Sequence, residues 1–420
     1  MQLSPDQSYA LEILGSGENV FLTGKAGTGK STVLRSYLEG ENPEKTAILA
    51  STGAAAVLVG GRTFHSFFGL GILEGGPVRT IERALKQPRL RKRLKEIETV
   101  VIDEISMISG ETLAVAENIA QQVRGNFQPW GGIRVIAVGD FAQLPPVTRD
   151  RPTPDWAFQH EVWERTAFRS VALSTVHRCP SSEWNDVLNR VREGNCDDVV
   201  KEALNARLHP VDENEDLTRL FGMRQDAENY NRRRLADLAG EPTVYNTEYL
   251  GDAMAQDQLR RNCPVPDELT LKMDALVMIR RNDPDGEYVN GSLGHVRALR
   301  DKVVVVELLE TGRDVDIEPV KFEMLNADGD VVATAKNFPL NLAYGTTIHK
   351  SQGATLDAVR IRLARLWESG QAYVALSRVR HPDRLFLDGW DPRSIRADES
   401  VRIFHDSLSS GMPGISPDPF

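Results

Sequence analysis

The sequence predicts an α/β fold built around parallel β-sheets. Short apolar runs alternate along the chain with segments of helical periodicity, which is the pattern of an α/β parallel sheet. The first strand candidates are residues 19–23, 46–51, 99–102, 133–138 and 171–174, and helical patterns such as 31–38 and 110–124 lie between them. These segments predict one doubly wound domain that ends near residue 173.

A second α/β set follows the first. Its strand candidates are residues 217–221, 358–363 and 384–387, and its helical patterns lie around 183–192 and 226–239. A chain of 420 residues is too long for one ordinary core, so two or three domains are expected.

Residues 269–325 have a different pattern, because apolar residues alternate there and turn signals such as Asn290-Gly291 interrupt them. This predicts a small antiparallel barrel inserted in the second domain. The predicted division is therefore a first domain at 1–173, a second domain at 174–268 and 336–410, an insertion at 269–335 and a disordered tail at 411–420.

Composition excludes several classes of protein. No apolar run approaches the length of a membrane span, and the N-terminus lacks the basic and apolar regions of a signal peptide. Three scattered cysteines, Cys179, Cys196 and Cys263, are too few for a disulfide framework or a zinc site. A reducing cytoplasm is therefore the expected location.

The formal net charge of −10 argues against a uniformly basic, nucleic-acid-coating surface, but it leaves room for a narrow basic groove. One basic run, within residues 83–95, has two interpretations: a solvated helix face or a surface that tracks phosphates.

A phosphate-binding loop is the clearest motif. Gly24-Lys25-Ala26-Gly27-Thr28-Gly29-Lys30-Ser31 fits G-x-x-x-x-G-K-[ST], with a β-rich run before it and a helix pattern after it. The glycines allow backbone N–H groups to face a phosphate, and the helix N-terminus adds a positive dipole end. Lys30 is expected to reach the β- and γ-phosphates of ATP, and the Ser31 hydroxyl to take one position on Mg²⁺.

Two carboxylates and an amide complete the predicted chemistry. Asp103 and Glu104 end an apolar strand, where Asp103 is expected to hold Mg²⁺ and Glu104 to orient or deprotonate an attacking water. A small-molecule kinase has no need of the second carboxylate, so Glu104 favours hydrolysis. Gln143 follows a later strand and fits a γ-phosphate sensor, although its loop could also be a plain strand exit made rigid by two prolines.

These motifs resemble those of superfamily 1 helicases, in the same order. The segments are Gly24–Ser31, Asp103-Glu104-Ile105-Ser106, residues 139–147, Thr347-Ile348-His349-Lys350-Ser351-Gln352-Gly353 and Tyr373-Val374-Ala375-Leu376-Ser377-Arg378. Within the superfamily, residues 114–124, Pro129-Trp130-Gly131-Gly132-Ile133 and the Gly-Asp-Phe-x-Gln-Leu-Pro-Pro run resemble the Pif-one (petite integration frequency) helicases. The resemblance spans residues 3 to 390.

The resemblance implies two RecA-like domains with ATP between them and a Src-homology-3-like barrel inserted in the second. It implies that Gln7 reads adenine, although Gln7 taken alone would be an ordinary surface residue. Arg178 and Arg378 would contact the γ-phosphate from the second domain. At Arg178 the sequence has His-Arg-Cys where the family commonly has Phe-Arg-Gln. The implied nucleotide-binding residues are Gln7, Gly24, Ala26, Gly27, Thr28, Gly29, Lys30, Ser31 and Thr32.

The resemblance also implies single-stranded DNA across both domains and movement from 5′ to 3′. The implied DNA-binding residues are Thr63 and His65 from the first domain and Thr347, His349 and Lys350 from the second. Phe64, Phe67 and Phe68 could stack on bases or belong to the core. Residues of about 64–78 would form a small wedge that separates strands.

The leading hypothesis is an ATP-dependent DNA helicase, active as a monomer, that serves DNA repair, recombination and replication. An ATP-driven translocase that remodels protein–DNA complexes is the alternative. A ring-forming ATPase would take its arginine from a neighbouring subunit, and a binding module with a dead nucleotide site would not need Lys30 and Glu104. Forks, G-quadruplexes and RNA–DNA hybrids are all candidate substrates. The lack of a long N-terminal extension suggests a bacterial or phage form or a trimmed chain. The expected localisation is cytoplasmic, in association with the nucleoid.

Overall fold

The computed structural model describes residues 3–51, 62–71, 76–146, 153–210, 217–281, 283, 287–288, 290–325, 330–356, 358–364 and 366–410. Within these ranges, no helix is both long enough and apolar enough to cross a membrane. The predicted tail and part of the predicted wedge lie outside the described residues.

The β-strands are numbered in chain order. They are β1 (Val20–Gly24), β2 (Thr46–Ala50), β3 (Arg62–Thr63), β4 (Thr99–Asp103), β5 (Arg134–Val138), β6 (Arg169–Leu173), β7 (Thr218–Phe221), β8 (Thr243–Asn246), β9 (Glu248–Gly251), β10 (Glu268–Leu271), β11 (Leu276–Ile279), β12 (Leu293–Leu299), β13 (Val304–Leu308), β14 (Asp314–Ile317), β15 (Val320–Leu325), β16 (Val331–Asn337), β17 (Leu340–Leu342), β18 (Gly345–Thr347), β19 (Val359–Leu363) and β20 (Leu385–Trp390).

The α-helices are numbered in the same way. They are α1 (Pro5–Leu14), α2 (Lys30–Leu38), α3 (Phe64–Phe67), α4 (Gly76–Leu85), α5 (Pro88–Glu96), α6 (Gly110–Arg124), α7 (Glu161–Thr166), α8 (Ser182–Arg192), α9 (Asp198–Asn205), α10 (Arg224–Asp237), α11 (Ala253–Asn262), α12 (Gln371–Leu376) and α13 (Glu399–Ser410).

The first six strands form one parallel sheet in the order β3-β2-β4-β5-β1-β6, which with helices α1 to α7 we call the first lobe. Side chains of β1 alternate between its two faces: Phe21 packs in one core, and Val20 and Leu22 pack in the other. Both faces are therefore covered, as a parallel sheet requires. The five strands predicted for this region are confirmed to within two residues at their ends.

Three aromatic residues of α3 and the turn after it belong to the first-lobe core. Phe64, Phe67 and Phe68 are fully buried and pack against one another with ring centroids 4.9 and 5.0 Å apart. The core interpretation of these residues is confirmed, and in this structure their rings are not available for base stacking.

A second parallel sheet has the order β18-β7-β19-β20, and with α8, α9, α10 and α12 we call it the second lobe. Its core combines Trp184 and Val187 of α8 with Val359 and Ile361 of β19. Strand β18 was not predicted, because it has only three residues and two of them are threonine.

The inserted region is antiparallel, as its alternation predicts, but no closed barrel is found among the described residues. Its strands, joined by β8, β9 and β17 from outside residues 269–335, form a five-stranded sheet in the order β14-β13-β12-β11-β17, a three-stranded sheet β15-β16-β9 and a pair β10-β8. The hairpin of β15 and β16 pairs with β9 instead of closing the larger sheet. That larger sheet is therefore open, with β14 and β17 as its edges.

The last helix returns to the first lobe. Val401 of α13 is buried in the first-lobe core, and Phe404 stacks on Phe158 with ring centroids 4.4 Å apart. The indole Nε1 of Trp156 donates a hydrogen bond to Asp398, just before α13, at 3.0 Å. Helix α13 therefore fastens the end of the second lobe to the first.

We predict that Phe404→Ala lowers the free energy of unfolding by about 2 kcal/mol, because a half-buried ring loses its apolar and aromatic contacts. Urea denaturation followed by circular dichroism measures the change. Ile403→Ala is the control on the same helix, since that side chain is 59% exposed and should contribute little. Equal losses for the two variants would contradict the packing described for α13.

Candidate active site

The phosphate loop joins β1 to α2, and its glycines adopt conformations that other residues rarely take. Gly27 and Gly29 have φ values of 81° and 84°, and Gly29 is the N-cap of α2. A Cβ at Gly27 would lie 2.5 Å from the Cβ of Arg178, and a Cβ at Gly29 would collide with the amide of Gln7. The loop therefore needs glycine for its backbone and for the close approach of two other segments.

The ammonium of Lys30 lies within the loop itself. Its Nζ donates hydrogen bonds to the carbonyl oxygens of Gly24 and Lys25, at 2.8 and 3.2 Å. Burial lowers the pKa of Lys30, while the charges of Asp140 and Glu104 act in the opposite direction. A buried ammonium held only by carbonyl oxygens suits an anionic ligand, so the loop fits the phosphates of ATP. Ser31 and Thr32 follow at the start of α2, where Ser31 is exposed.

Asp103 and Glu104 stand at the end of β4, which is one strand away from β1 because β5 lies between them. The backbone N–H of Glu104 donates to Asp103 Oδ1 at 2.9 Å. Burial and the neighbouring charge of Glu104 raise the pKa of Asp103 to about 7. A divalent cation beside Asp103 would relieve both effects, so the Asp103 carboxylate fits the predicted Mg²⁺ site. Glu104 has a φ of 53°, a left-handed conformation that is uncommon for Glu and typical of functional sites.

The loop after β5 contains a buried ion pair that reaches the second lobe. Asp140 lies 2.8 Å from Arg192 of α8 and 3.5 Å from His405 of α13. Burial alone would raise the pKa of Asp140, but Arg192 and His405 outweigh it and hold this pKa well below its usual range. Gln143 is buried in the same loop, and its backbone carbonyl sits so close to Gly370 that no Cβ would fit there.

The two predicted arginine fingers lie next to each other, with Arg178 in the segment before α8 and Arg378 just after α12, but they differ in surroundings. The backbone N–H of Arg178 donates to Gly27 O at 3.3 Å, and its Nη1 donates to Ser377 O at 2.9 Å. Arg378 is 1% exposed, and its guanidinium donates to Val374 O, Ser351 O, Ala354 O and Ser377 Oγ. Burial and the nearby charge of Arg178 lower the pKa of Arg378 to about 9. Arg178 thus touches the phosphate loop directly, whereas the hydrogen bonds of Arg378 lie within its own lobe.

Two further second-lobe side chains reach the site, and the sequence reasoning gave neither of them a role. The backbone N–H of Ala26 donates to the buried hydroxyl of Tyr373 at 2.8 Å. Gln352 Nε2 donates to Glu104 Oε2 at 3.0 Å. Both residues belong to motifs on which the helicase resemblance rests. Their position in those motifs was the one sequence feature that could have indicated a role at the site.

Gln7 is buried, so the alternative that it is an ordinary surface residue is wrong. Its Oε1 accepts from the backbone N–H of Ser4, and its Nε2 donates to Thr28 O at 3.1 Å. The amide therefore caps α1 and holds the phosphate loop in this structure, and its adenine-reading role stays a prediction.

The predicted DNA-binding residues lie at the ends of parallel strands in both lobes. Thr63 ends β3 and caps α3, since its Oγ1 accepts from Ser66 N at 3.1 Å, and burial lowers the pKa of the adjacent His65. Thr347 ends β18, and its Oγ1 accepts from Lys350 N at 3.1 Å.

Lys350 and His349 have different charged neighbours. Lys350 is exposed, and partial burial with the charges of Arg224 and Arg280 lowers its pKa. His349 lies 3.3 Å from Glu368. The charges around Lys350 are therefore mixed, because Glu228, which forms an ion pair with Arg224, acts on the pKa of Lys350 in the opposite direction.

Several known proteins are similar to this chain over most of its length. The sequence profile of the PIF1-like helicase family matches residues 2–202. A protein of Bdellovibrio bacteriovorus, named ATP-dependent DNA helicase Pif1, is 48% identical over 405 residues, which cover 96% of this chain and 92% of that protein. The chain belongs to the PIF1-like helicase family.

Solved structures of PIF1-like helicases have the same fold. A Bacteroides Pif1 crystallised with ADP-AlF4 is 28% identical, with a TM-score of 0.85 over 98% of each chain. A Bacteroides Pif1 crystallised with ADP-AlF3 and single-stranded DNA gives a TM-score of 0.68 over the same share. The mixed α/β helicase fold with a parallel sheet core is therefore confirmed.

We predict that Lys30→Ala abolishes ATP hydrolysis while the fold survives, because the Lys30 ammonium lies among carbonyl oxygens of the phosphate loop and not in an apolar core. ATPase rates and circular dichroism measure the two effects. Lys45→Ala is the control, since Lys45 makes a surface ion pair with Glu98. Hydrolysis at a near wild-type rate by the Lys30 variant would show that the loop does not bind the reacting phosphates.

We predict that Glu104→Gln binds ATP and DNA but turns over about 10²- to 10⁴-fold more slowly, because the substitution keeps the shape and removes the base. Nucleotide binding by fluorescence and steady-state kcat separate these effects. Loss of ATP binding would point to a structural role for Glu104.

Proposed function

We propose that the chain is an ATP-dependent DNA helicase that moves from 5′ to 3′ along single-stranded DNA. The observation that carries the proposal is that the phosphate loop and Glu104 are contacted by side chains of a second α/β lobe in the same chain. The names of its relatives support it, since the Bdellovibrio protein is an ATP-dependent DNA helicase. Bacteroides Pif1 has been crystallised with a nucleotide analogue and single-stranded DNA together.

In this proposal ATP binds between the lobes, with Lys30 at its β- and γ-phosphates and Ser31 and Asp103 placed to hold Mg²⁺. The metal ion, when bound, neutralises phosphate charge that develops during transfer. Glu104 accepts a proton from water as the water oxygen bonds to the γ-phosphorus, and the bond to the β–γ bridging oxygen breaks with ADP as the leaving group. Gln143 would sense the γ-phosphate. Arg178 and Arg378 would stabilise the negative charge on the phosphoryl group while it is transferred.

Movement along DNA would follow from two grips on one strand. Thr63 and His65 hold it from the first lobe, and Thr347, His349 and Lys350 hold it from the second. When ATP binds, closure of the cleft between the lobes brings these two sets of DNA contacts together, and ATP hydrolysis lets them separate. The exposed ammonium of Lys350 supports this assignment, because local phosphate contacts do not require a basic protein overall.

We further propose the finer architecture that the family implies: two RecA-like domains at 1–173 and 174–410, and the antiparallel region at 269–335 as a Src-homology-3-like insertion. We also propose that the chain acts as a monomer at single-strand/duplex junctions such as forks. G-quadruplexes and RNA–DNA hybrids are further proposed substrates. The Bdellovibrio relative supports a bacterial setting. Association with nucleoid DNA is the further part of this proposal.

We predict that Arg178→Ala and Arg378→Ala each lower kcat far more than ATP affinity, since their contacts strengthen as charge shifts in the transition state. An arginine in this role contributes about 10³ to 10⁵ in kcat. Arg190→Ala, which removes a surface ion pair on the same lobe, is the control. A change confined to KM would remove the finger role from the residue concerned.

The proposed function is tested by unwinding of matched duplexes that carry a 5′ tail or a 3′ tail. With ATP and Mg²⁺, we expect strand separation of the 5′-tailed duplex and none of the 3′-tailed one. The reverse preference would contradict the proposed polarity. DNA-stimulated ATP hydrolysis without unwinding of either duplex would favour the translocase, and no ATP hydrolysis at all would contradict both.

A further inference from the structure

The buried ion pair between Asp140 and Arg192 has no role in the proposed function. Asp140 lies in the loop after β5 and is fully buried. Arg192 of α8 contacts both oxygens of this carboxylate: its Nη2 donates to Oδ1 at 2.8 Å, and its Nε donates to Oδ2 at 3.3 Å. A two-point contact of this kind fixes the angle between the two groups as well as their distance. The pair therefore sets how α8 lies against the loop.

The Asp140 carboxylate also shapes the turn that carries Gln143. Its Oδ1 accepts a hydrogen bond from the backbone N–H of Ala142 at 3.1 Å. The backbone N–H of Gln143 donates to the carbonyl oxygen of Asp140 at 3.0 Å. An aspartate that accepts from the N–H two residues further on fixes the start of a turn. The oxygen that receives Arg192 Nη2 is thus the same oxygen that holds the turn before Gln143.

A second element of the same lobe contacts this turn. Gly370, the N-cap of α12, approaches so closely that a Cβ there would lie 2.2 Å from the carbonyl oxygen of Gln143 and 2.7 Å from that of Ala142. Gln143 itself is buried. The turn is therefore held by α8 through Arg192 and by the start of α12 through Gly370.

We propose that Arg192 is a positioning residue for ATP hydrolysis: through Asp140 it holds the turn at the angle that presents the Gln143 amide to the γ-phosphate. The inference rests on the proposed function, in which Gln143 senses that phosphate. ADP has no phosphoryl group at this position, so an error in the angle of Gln143 affects the transferring group and leaves ADP binding unchanged. A displacement of about 1 Å at such a group can reduce a rate about 10²-fold.

Charge compensation alone predicts a different behaviour. A buried carboxylate that loses its cation destabilises the chain whatever side chain stands at position 143. The positioning role instead requires that the effect of Arg192 on the transferring phosphoryl group disappear when the Gln143 amide is removed. The two explanations can therefore be separated by measurement.

The test uses Arg192→Met, which keeps an unbranched side chain and removes the guanidinium. We expect the DNA-stimulated kcat to fall about tenfold or more, with KM for ATP nearly unchanged. ADP should bind as in the wild type, whereas ADP with aluminium fluoride, which mimics the transferring phosphoryl group, should bind about tenfold or more weakly. Arg190→Met is the matched control on the same helix and should change none of these values, because Arg190 pairs with Asp186 at the surface.

A double-mutant cycle with Gln143→Ala separates positioning from charge compensation. Gln143→Ala should itself weaken the binding of ADP–aluminium fluoride, and adding Arg192→Met should weaken it by less than about twofold more. A further loss of about tenfold in that background would overturn the inference. So would equal weakening of ADP and ADP–aluminium fluoride by Arg192→Met, an unchanged kcat in this folded variant, or unaltered binding by Gln143→Ala.

If circular dichroism shows that Arg192→Met is unfolded, Asp140→Asn combined with Arg192→Met takes its place. This pair leaves no unpaired charge in the buried position but still removes the connection from α8 to the turn, so the same losses are expected in both backgrounds. The wild-type chain is measured in parallel. Failure of the proposed function would abolish its hydrolysis and unwinding, whereas failure of the inference alone would leave both intact.

Discussion

The phosphate loop is approached so closely by two other segments that only glycine fits at Gly27 and Gly29. Arg178, in the segment that joins β6 to α8, lies against the first of these glycines, and Gln7 of α1 lies against the second. The loop is therefore packed against the segment through which the chain passes from the first lobe to the second. The rest of the site is arranged around this approach.

Three other contacts join the lobes around the loop. Tyr373 accepts a hydrogen bond from the loop amide of Ala26, Gln352 donates to Glu104, and Asp140 pairs with Arg192 in a buried position. Helix α13 adds a fourth connection by returning to the aromatic core of the first lobe. Ala26 of the loop, Glu104 and Asp140 therefore each have a neighbour from the second lobe, which is a physical basis for linking hydrolysis to lobe position.

The sequence predicted the features that depend on neighbouring residues, such as strands and the phosphate loop. It did not predict the pairing of strands and side chains that lie far apart along the chain. Strands of the first sheet follow from apolar runs, and the phosphate loop follows from the spacing of Gly24, Gly29 and Lys30. Periodicity also indicated an antiparallel insertion, but it could not indicate that β9 pairs with β16, far along the chain, or that the larger sheet stays open. The contact of Ala26 with Tyr373 spans 347 positions, and no local pattern encodes it. Gln7 taken alone resembled a surface residue for the same reason, since the loop that buries it lies on another element.

The central claim is that one chain supplies both sides of the hydrolytic site, and mixing two inactive variants tests it most directly. Lys30→Ala damages the phosphate loop of the first lobe, and Arg378→Ala damages the second lobe. If each site is built within one chain, an equimolar mixture should hydrolyse ATP no faster than the sum of the two variants measured apart, at every protein concentration. If the site is instead shared between subunits, the mixture joins one intact loop to one intact arginine, and recovery of hydrolysis that grows with concentration would contradict the account.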